Sequence, residues 1–291
     1  MSEKSWFKIG HTTQENVRSG CTAIVFDQQV PAAVDSRGGA PGTRETTLLE
    51  PGNVGMLDAI LLSGGSAFGL QATDGVMRYL AEQDRGFETR FGKVPLVSSA
   101  IIFDLGVGSA YHPTVDDGYA AAASAVAGNS VTGPIGAGCG ATVAKLGGNA
   151  LPSGIGWAQV QIDDFYVSAI VVLNAVGDVR KPDTGEWLAR NDGPDCRDVA
   201  IGGLQRADPL ENTTIGAVLI DGALDRRSLA RACISAQAAL ARCTIPAHTV
   251  LDGDTFYAAS SSAGQPTIMQ TLAVTSAVEV AVERAIVSVF N

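Results

Sequence analysis

Residues 211–220 read "ENTTIGAVLI". A polar Asn212-Thr213-Thr214 stands directly before an apolar run, Ile215 to Ile220, that reads as a buried strand. Three readings of that junction compete. Thr favours strands, so the pair can simply begin one. The triplet also fits the N-x-[ST] glycosylation pattern, but the first residues, "MSEKSWFKIGHTTQENVRSG", lack the apolar core of a signal peptide. The third reading is chemical: a threonine freed at a chain terminus carries its own base. Its α-amine has an unperturbed pKa of about 7.7–8.0, close to what a general base needs at neutral pH.

Around this stretch the composition bounds the answer. The 291 residues are 46% hydrophobic and 17% charged, enough to bury a sizeable core and unlike a disordered chain. A net charge of −10 disfavours nucleic acid as a partner. Apolar stretches such as "VSAIVVLNAV" (167–176) are far too short to span a membrane. Five cysteines without a CxxC spacing suggest neither a disulfide framework nor a zinc site, so a reducing cytoplasm is expected.

Strands are expected at 21–30, 58–65, 94–106, 157–176 (with a hairpin turn at "DDF"), 213–221 and 255–262. Helices are expected at 65–83, 116–128, 225–243 and 267–290. Residues 31–57 and 177–212 are rich in Pro, Gly and charge and read as irregular. Strict βαβα alternation is absent, so mixed α+β, with helices covering sheets, is favoured over a doubly wound parallel sheet.

Single motifs leave the chemistry open. "GPIGAGCGATVAKLGG" (133–148) contains a GxGxxA spacing, but Pro134 and Gly147-Gly148 interrupt the strand and helix that a dinucleotide site needs. A tight turn, or a loop presenting Lys145, fits as well. "LLSGGSAFG" (61–69) resembles a nucleophile elbow without its GxSxG, and Ser66 then reads as a helix cap. Asp252 and Asp254 in "LDGDTFYAA" (251–259) suit a metal, a shared-proton pair or a plain turn. His11, His112 and His248 have no acid partner evident in sequence.

Seven ordered stretches change the balance: "DSRGGAPGTRET" (35–46), "LSGGSAFGL" (62–70), "LVSSAIIFDLG" (96–106), "GAGCGATVAKLGG" (136–148), "VVLNAVGDV" (171–179), "NTTIGAVLID" (212–221) and "HTVLDGDTFYAAS" (248–260). Together they resemble the DmpA-type family of self-cleaving amidohydrolases, which includes D-aminopeptidases, β-peptidyl aminopeptidases and nylon-oligomer hydrolases. The Asn212-Thr213 junction is similar to the nylon-oligomer hydrolase (NylC-like) branch, where many relatives have serine after glycine.

The resemblance implies one N-terminal-nucleophile-like domain over 1–291, a four-layer αββα sandwich. It implies cleavage between Asn212 and Thr213 into chains 1–212 and 213–291. Thr213 is then the nucleophile, with Lys145, Asn174, Asp252 and Asp254 lining the site and Ser66 and Phe103 on the substrate side. It implies no metal and no cofactor, a small amide, peptide or polyamide-oligomer substrate, and a homo-oligomer of tetrameric type. An aminopeptidase of the same family, a non-catalytic ligand-binding module and an Asp252/Asp254 metal hydrolase are the alternatives. Where many relatives have tyrosine this chain has Phe103, which cannot donate a hydrogen bond. That leaves the donor absent or supplied by another residue such as Tyr111.

Overall fold

The computed structural model describes residues 5–146, 149–163, 165–192 and 212–291. Nine strands form the main β-structure: β1 (Phe7–Gln14), β2 (Ser19–Ser36), β3 (Thr43–Arg44), β4 (Met56–Ser63), β5 (Val97–Ile101), β6 (Ile155–Ile162), β7 (Phe165–Val172), β8 (Ile215–Leu224) and β9 (Thr255–Ala263). Among the described residues four helices pack on it: α1 (Ala72–Glu82), α2 (Val115–Ala123), α3 (Arg226–Cys243) and α4 (Ile268–Ser288).

The hydrogen-bonded path runs β6-β7-β8-β9-β2-β4-β5-β3, with β1 on β2. β2 links two faces. Its residues up to Pro31 pair with β1 and β4, whereas Ala32 to Ser36 pair with β9. The change of partner follows a register shift between Val25 and Val30. Pro31, which has no N–H to donate, is tolerated at such an irregularity. The strand therefore runs six residues into the segment expected to be irregular.

Side-chain alternation along the strands separates three cores. Ile24, Phe26, Ile60, Leu62, Ile170, Ile215, Ala217, Leu219 and Tyr257 meet between the two halves of the β-structure. Cys21, Ala23, Val25, Ala59 and Leu61 point the other way, against α1 and α2. Val167, Val171, Val218, Ile220 and Phe256 face α3 and α4. Strands buried on both faces need continuous apolar runs, as in "IGAVLI". The result is helix, sheet, sheet, helix: the expected αββα sandwich.

Element ends follow local chemistry. Thr114 and Thr267 form capping boxes with Asp117 and Gln270, and Asp225 caps α3 through the Ser228 N–H. Ser66 is not the cap that sequence suggested. It lies inside a 3₁₀ turn (Ser66–Gln71) whose cap position is Gly65, and its own φ is +55°. The GxGxxA loop also differs from a nucleotide fingerprint. Gly136–Gly138 make a 3₁₀ turn, and the short strand Thr142–Val143 follows instead of a helix. In the segment from 177, Asp178–Arg180 and Trp187–Ala189 are strands that join Thr244–Ile245 in a small sheet. Its residues 193–211 lie outside the described residues.

Candidate active site

Register alone brings three strand ends together. β7 and β8 are antiparallel with Val172 opposite Ile215, so two further residues set Asn174 beside Thr213. β8 and β9 are parallel with Ile215 opposite Thr255, which sets Gly253 beside Thr213 on the other side. The hydrogen bonds follow this geometry. The Thr213 N–H donates to the Asn174 carbonyl at 2.9 Å, and the Thr255 N–H to the Thr214 carbonyl at 3.0 Å. Asn212, Thr213 and Thr214 are all buried. The Thr213 hydroxyl donates to the carbonyl oxygen of Asn212, the peptide just before it.

Gly253 is where a side chain has no room. A Cβ there would lie 2.7 Å from Thr213 Oγ1 and 2.6 Å from the Ala40 carbonyl oxygen. Opposite it, the "RGGAPG" loop is pinned by backbone hydrogen bonds from Arg37 to Asp254 and from Ala40 to Asp252.

The two aspartates are buried and supplied with donors. Asp254 Oδ1 accepts the Thr214 N–H at 2.8 Å, while Oδ2 accepts the His248 N–H at 3.0 Å and faces His248 Nδ1 at 2.8 Å. Asp252 Oδ2 accepts the Thr249 N–H at 3.0 Å and its hydroxyl at 2.6 Å, and Oδ1 accepts the Val176 N–H at 3.3 Å. Burial, and then the neighbouring Asp254 charge, push the Asp252 carboxyl up to about 6. Among the described residues, no three His, Cys, Asp or Glu side chains converge as ligands.

Asn174 is the hub on the opposite side. Its Oδ1 accepts from Lys145 Nζ at 3.0 Å and from the Thr142 N–H at 3.0 Å. One Nδ2 hydrogen goes to the Phe103 carbonyl at 3.1 Å, and an amide nitrogen carries a second. Lys145 is set by its backbone, whose N–H donates to the Val176 carbonyl at 2.9 Å.

The structure thus gathers Asn212, Thr213, Lys145, Asn174, Asp252 and Asp254, with Phe103 joining through its carbonyl. Ser66 approaches the same region through the backbone, donating its N–H to the Ile102 carbonyl at 3.0 Å. Tyr111 does not replace the missing tyrosine hydroxyl, because its own donates to Asp117 at 2.6 Å.

Sequence reasoning missed Asp104 and His248. Asp104 is buried, accepts the Gly65 N–H at 2.6 Å, and is pushed up to about 6 by burial, against the pull of its hydrogen bonds and of Lys145. The space around its carboxylate exists because Gly64 and Gly140 lack side chains: a Cβ on either would fall within 2.7 Å of Oδ2. A single acid closing an apolar strand, as in "AIIFDLG", was the available signal. His248 stands inside "HTVLDGDTFYAAS", but its contact with Asp254 depends on a turn that spacing does not reveal.

Comparison with known proteins gives the chain its kinship. The family model "Peptidase family S58" matches residues 7–290. An uncharacterised aminopeptidase of Mycobacterium leprae is 43% identical over 269 residues, spanning 85% of this chain and 72% of that protein. A 6-aminohexanoate-oligomer endohydrolase of Kocuria sp. is 30% identical over 264 residues, spanning 87% and 72%. Among solved structures, a Burkholderia sp. β-aminopeptidase aligns with a TM-score of 0.74 at 19% identity, covering 98% of this chain and 84% of that one. An L-aminopeptidase D-Ala-esterase/amidase of Ochrobactrum anthropi, described as a variant of the Ntn hydrolase fold, aligns at 0.69 and 19% with the same coverage. At those identities the two structures speak to the fold, whereas the sequence matches speak to kinship. The chain belongs to peptidase family S58 and is an amide-bond hydrolase.

Proposed function

We propose that this hydrolase matures by cutting its own Asn212–Thr213 bond and then uses Thr213 as an N-terminal nucleophile on small amide substrates. One observation carries the reading. The Thr213 hydroxyl contacts the Asn212 carbonyl while Asn174 and Asp254 hold the N–H groups of Thr213 and Thr214. The candidate scissile peptide is gripped on the side of its leaving nitrogen.

In the first step Thr213 Oγ1 adds to the Asn212 carbonyl carbon. The C–N bond breaks, the hydroxyl proton passes to the nitrogen, and an ester links Asn212 to Thr213. Water cleaves the ester, giving a carboxylate on Asn212 and a free α-amine on Thr213. That amine then takes the Oγ1 proton as the oxygen attacks a substrate amide, and returns it to the departing amine. The second Nδ2 hydrogen of Asn174 serves the developing oxyanion. Lys145, a cation beside the new amine, favours its neutral, basic form, and the two aspartates offset the positive charges. Ser66 and Phe103 line the approach, and the processed units assemble as a homo-oligomer.

The Asn-Thr junction favours polyamide-type oligomers as substrates. The higher identity to proteins named aminopeptidases favours an aminopeptidase mode instead. Parallel assays of an amide substrate with a free and with an acylated amino end separate the two, since an aminopeptidase loses the acylated one. For the nucleophile, the test is denaturing electrophoresis with amino-terminal sequencing of the smaller band. Thr213 at its start is expected in the wild type, and an intact, inactive chain in Thr213→Ala. A Thr213→Ala chain that still cuts itself sinks the assignment.

A further inference from the structure

The His248 ring lies between two acceptors. Nδ1 is 2.8 Å from Asp254 Oδ2, and Nε2 is 3.2 Å from the Gln237 carbonyl oxygen. A neutral imidazole has one N–H and can satisfy only one of them; an imidazolium satisfies both. The surroundings hold this geometry. The carbonyl facing the ring is the backbone oxygen of Gln237, held in place by α3, while the buried Gln237 side chain donates Nε2 to the carbonyls of Asp35 at 2.8 Å and Asp254 at 3.3 Å and ties the helix to this loop. The His248 backbone sits at φ +56° and donates its N–H to the same Asp254 oxygen at 3.0 Å.

We propose that His248 is a positioning residue of this site, an imidazolium clamped between Asp254 and the Gln237 carbonyl that fixes Asp254 under the Thr213–Thr214 backbone. The route is short. One Asp254 oxygen takes the His248 ring, and the other takes the Thr214 N–H at 2.8 Å, one residue from the nucleophile. A second consequence is charge balance. Asp252 and Asp254 face one another's repulsion, and an imidazolium on Asp254 lowers the cost of keeping both ionised. Burial opposes the charged ring, but the Asp254 hydrogen bond and charge, with the Gln237 carbonyl, outweigh it and raise His248 above the ordinary imidazole value. Other titratable or charged groups on the elements around the ring are Asp252 on the same loop, Asp35 and Arg37 at the end of β2, and Cys233 on α3. The rate consequence rests on the self-cleavage reading; the protonation state does not.

Two arms keep those apart. In the Thr213→Ala full chain, nitrogen NMR of the histidine rings is followed against pH, with His248→Asn assigning the signal among three histidines. Both His248 nitrogens should stay protonated to higher pH than in an ordinary imidazole, and the Thr214 amide shift should follow the same titration. A His248 that loses its second proton at or below the ordinary imidazole value, or a Thr214 amide indifferent to it, overturns the proposal even if no chain cuts itself. In the self-cleaving chain, the processing rate should fall as pH rises through that titration. His248→Ala should be roughly tenfold slower than His248→Asn, the worth of one charge-assisted hydrogen bond. Asn tolerates positive φ and keeps a donor toward Asp254 but not the charge, so His248→Asn should show no alkaline fall and should run near the reduced rate that the wild type reaches above its titration. Equal rates in the two variants would contradict the positioning role.

Discussion

At the scale of single residues the site depends on what is missing as much as on what is present. Gly253 leaves the space that Thr213 Oγ1 occupies, and the neighbour on its other side is backbone, which cannot swing away. Gly253→Ala should therefore displace the hydroxyl. A shift near 1 Å costs about 100-fold in a positioned reaction, so processing in that variant should slow by roughly that factor while far-UV circular dichroism stays unchanged. Unaltered processing would mean that the nucleophile's position is not set here. Asp252 offers a pH test. Its carboxyl is raised to about 6 by burial and by Asp254, so it loses its charge as pH falls through that value. Self-cleavage, which precedes the free amine, should then decline below about pH 6, and Asp252→Asn should abolish that acid limb. A rate constant from pH 7 to pH 5 would remove Asp252 from the charge balance. Asn174→Ala should lower kcat by about 100- to 1,000-fold through the lost oxyanion donor. It also removes an acceptor of the Lys145 and Thr142 donors, so Asn174→Asp, which keeps that acceptor but loses the amide hydrogens, is the sharper variant.

At the scale of elements, close backbone approach replaces side-chain packing where helices cross. A Cβ on Gly75 of α1 would lie 1.8 Å from the Val115 carbonyl oxygen, and one on Gly118 of α2 would lie 1.8 Å from that of Ala72. The two helices are in contact through these glycines, and neither partner atom belongs to a flexible side chain. Gly75→Ala gains helix propensity but must push the helices apart. A net loss of about 1–3 kcal/mol is expected, read as a lower urea midpoint at unchanged slope. A stabilised variant would show that the α1–α2 layer can shift freely. Gly156 of β6 plays the same part against Ala285 of α4, at 1.8 Å. In sequence these glycines look like breaks in good helices and strands, because their value lies in a neighbour far along the chain.

At the scale of the whole molecule, several shifted groups act in one direction on stability. Asp104 and Asp252 have folded values raised from 3.8 to about 6, and His248 is raised above 6.5. Each makes the folded chain bind more protons than the unfolded one, the carboxyls between about pH 4 and 6 and His248 above 6.5, so their joint contribution falls as pH rises. His11, lowered by burial, opposes them below 6.5. The urea midpoint of the uncut Thr213→Ala chain should accordingly be higher at pH 5 than at pH 8, and the reverse order would contradict these assignments. Much of this molecule could be read in one dimension. The apolar runs of β7, β8 and β9 and the helices α3 and α4 are local patterns that periodicity reports directly, whereas the set Thr213, Lys145, Asn174 and Asp252/Asp254 was legible only through the resemblance of seven ordered stretches to a known family. The continuation of β2 through Pro31 was hidden because proline and glycine speak for turns until a sheet partner is known. Asp104 and His248 were hidden because a buried charge is recognised only by what surrounds it. Burial, partner and register arise from contacts between residues far apart in the chain, and those exist only once the two sheets have closed on one another.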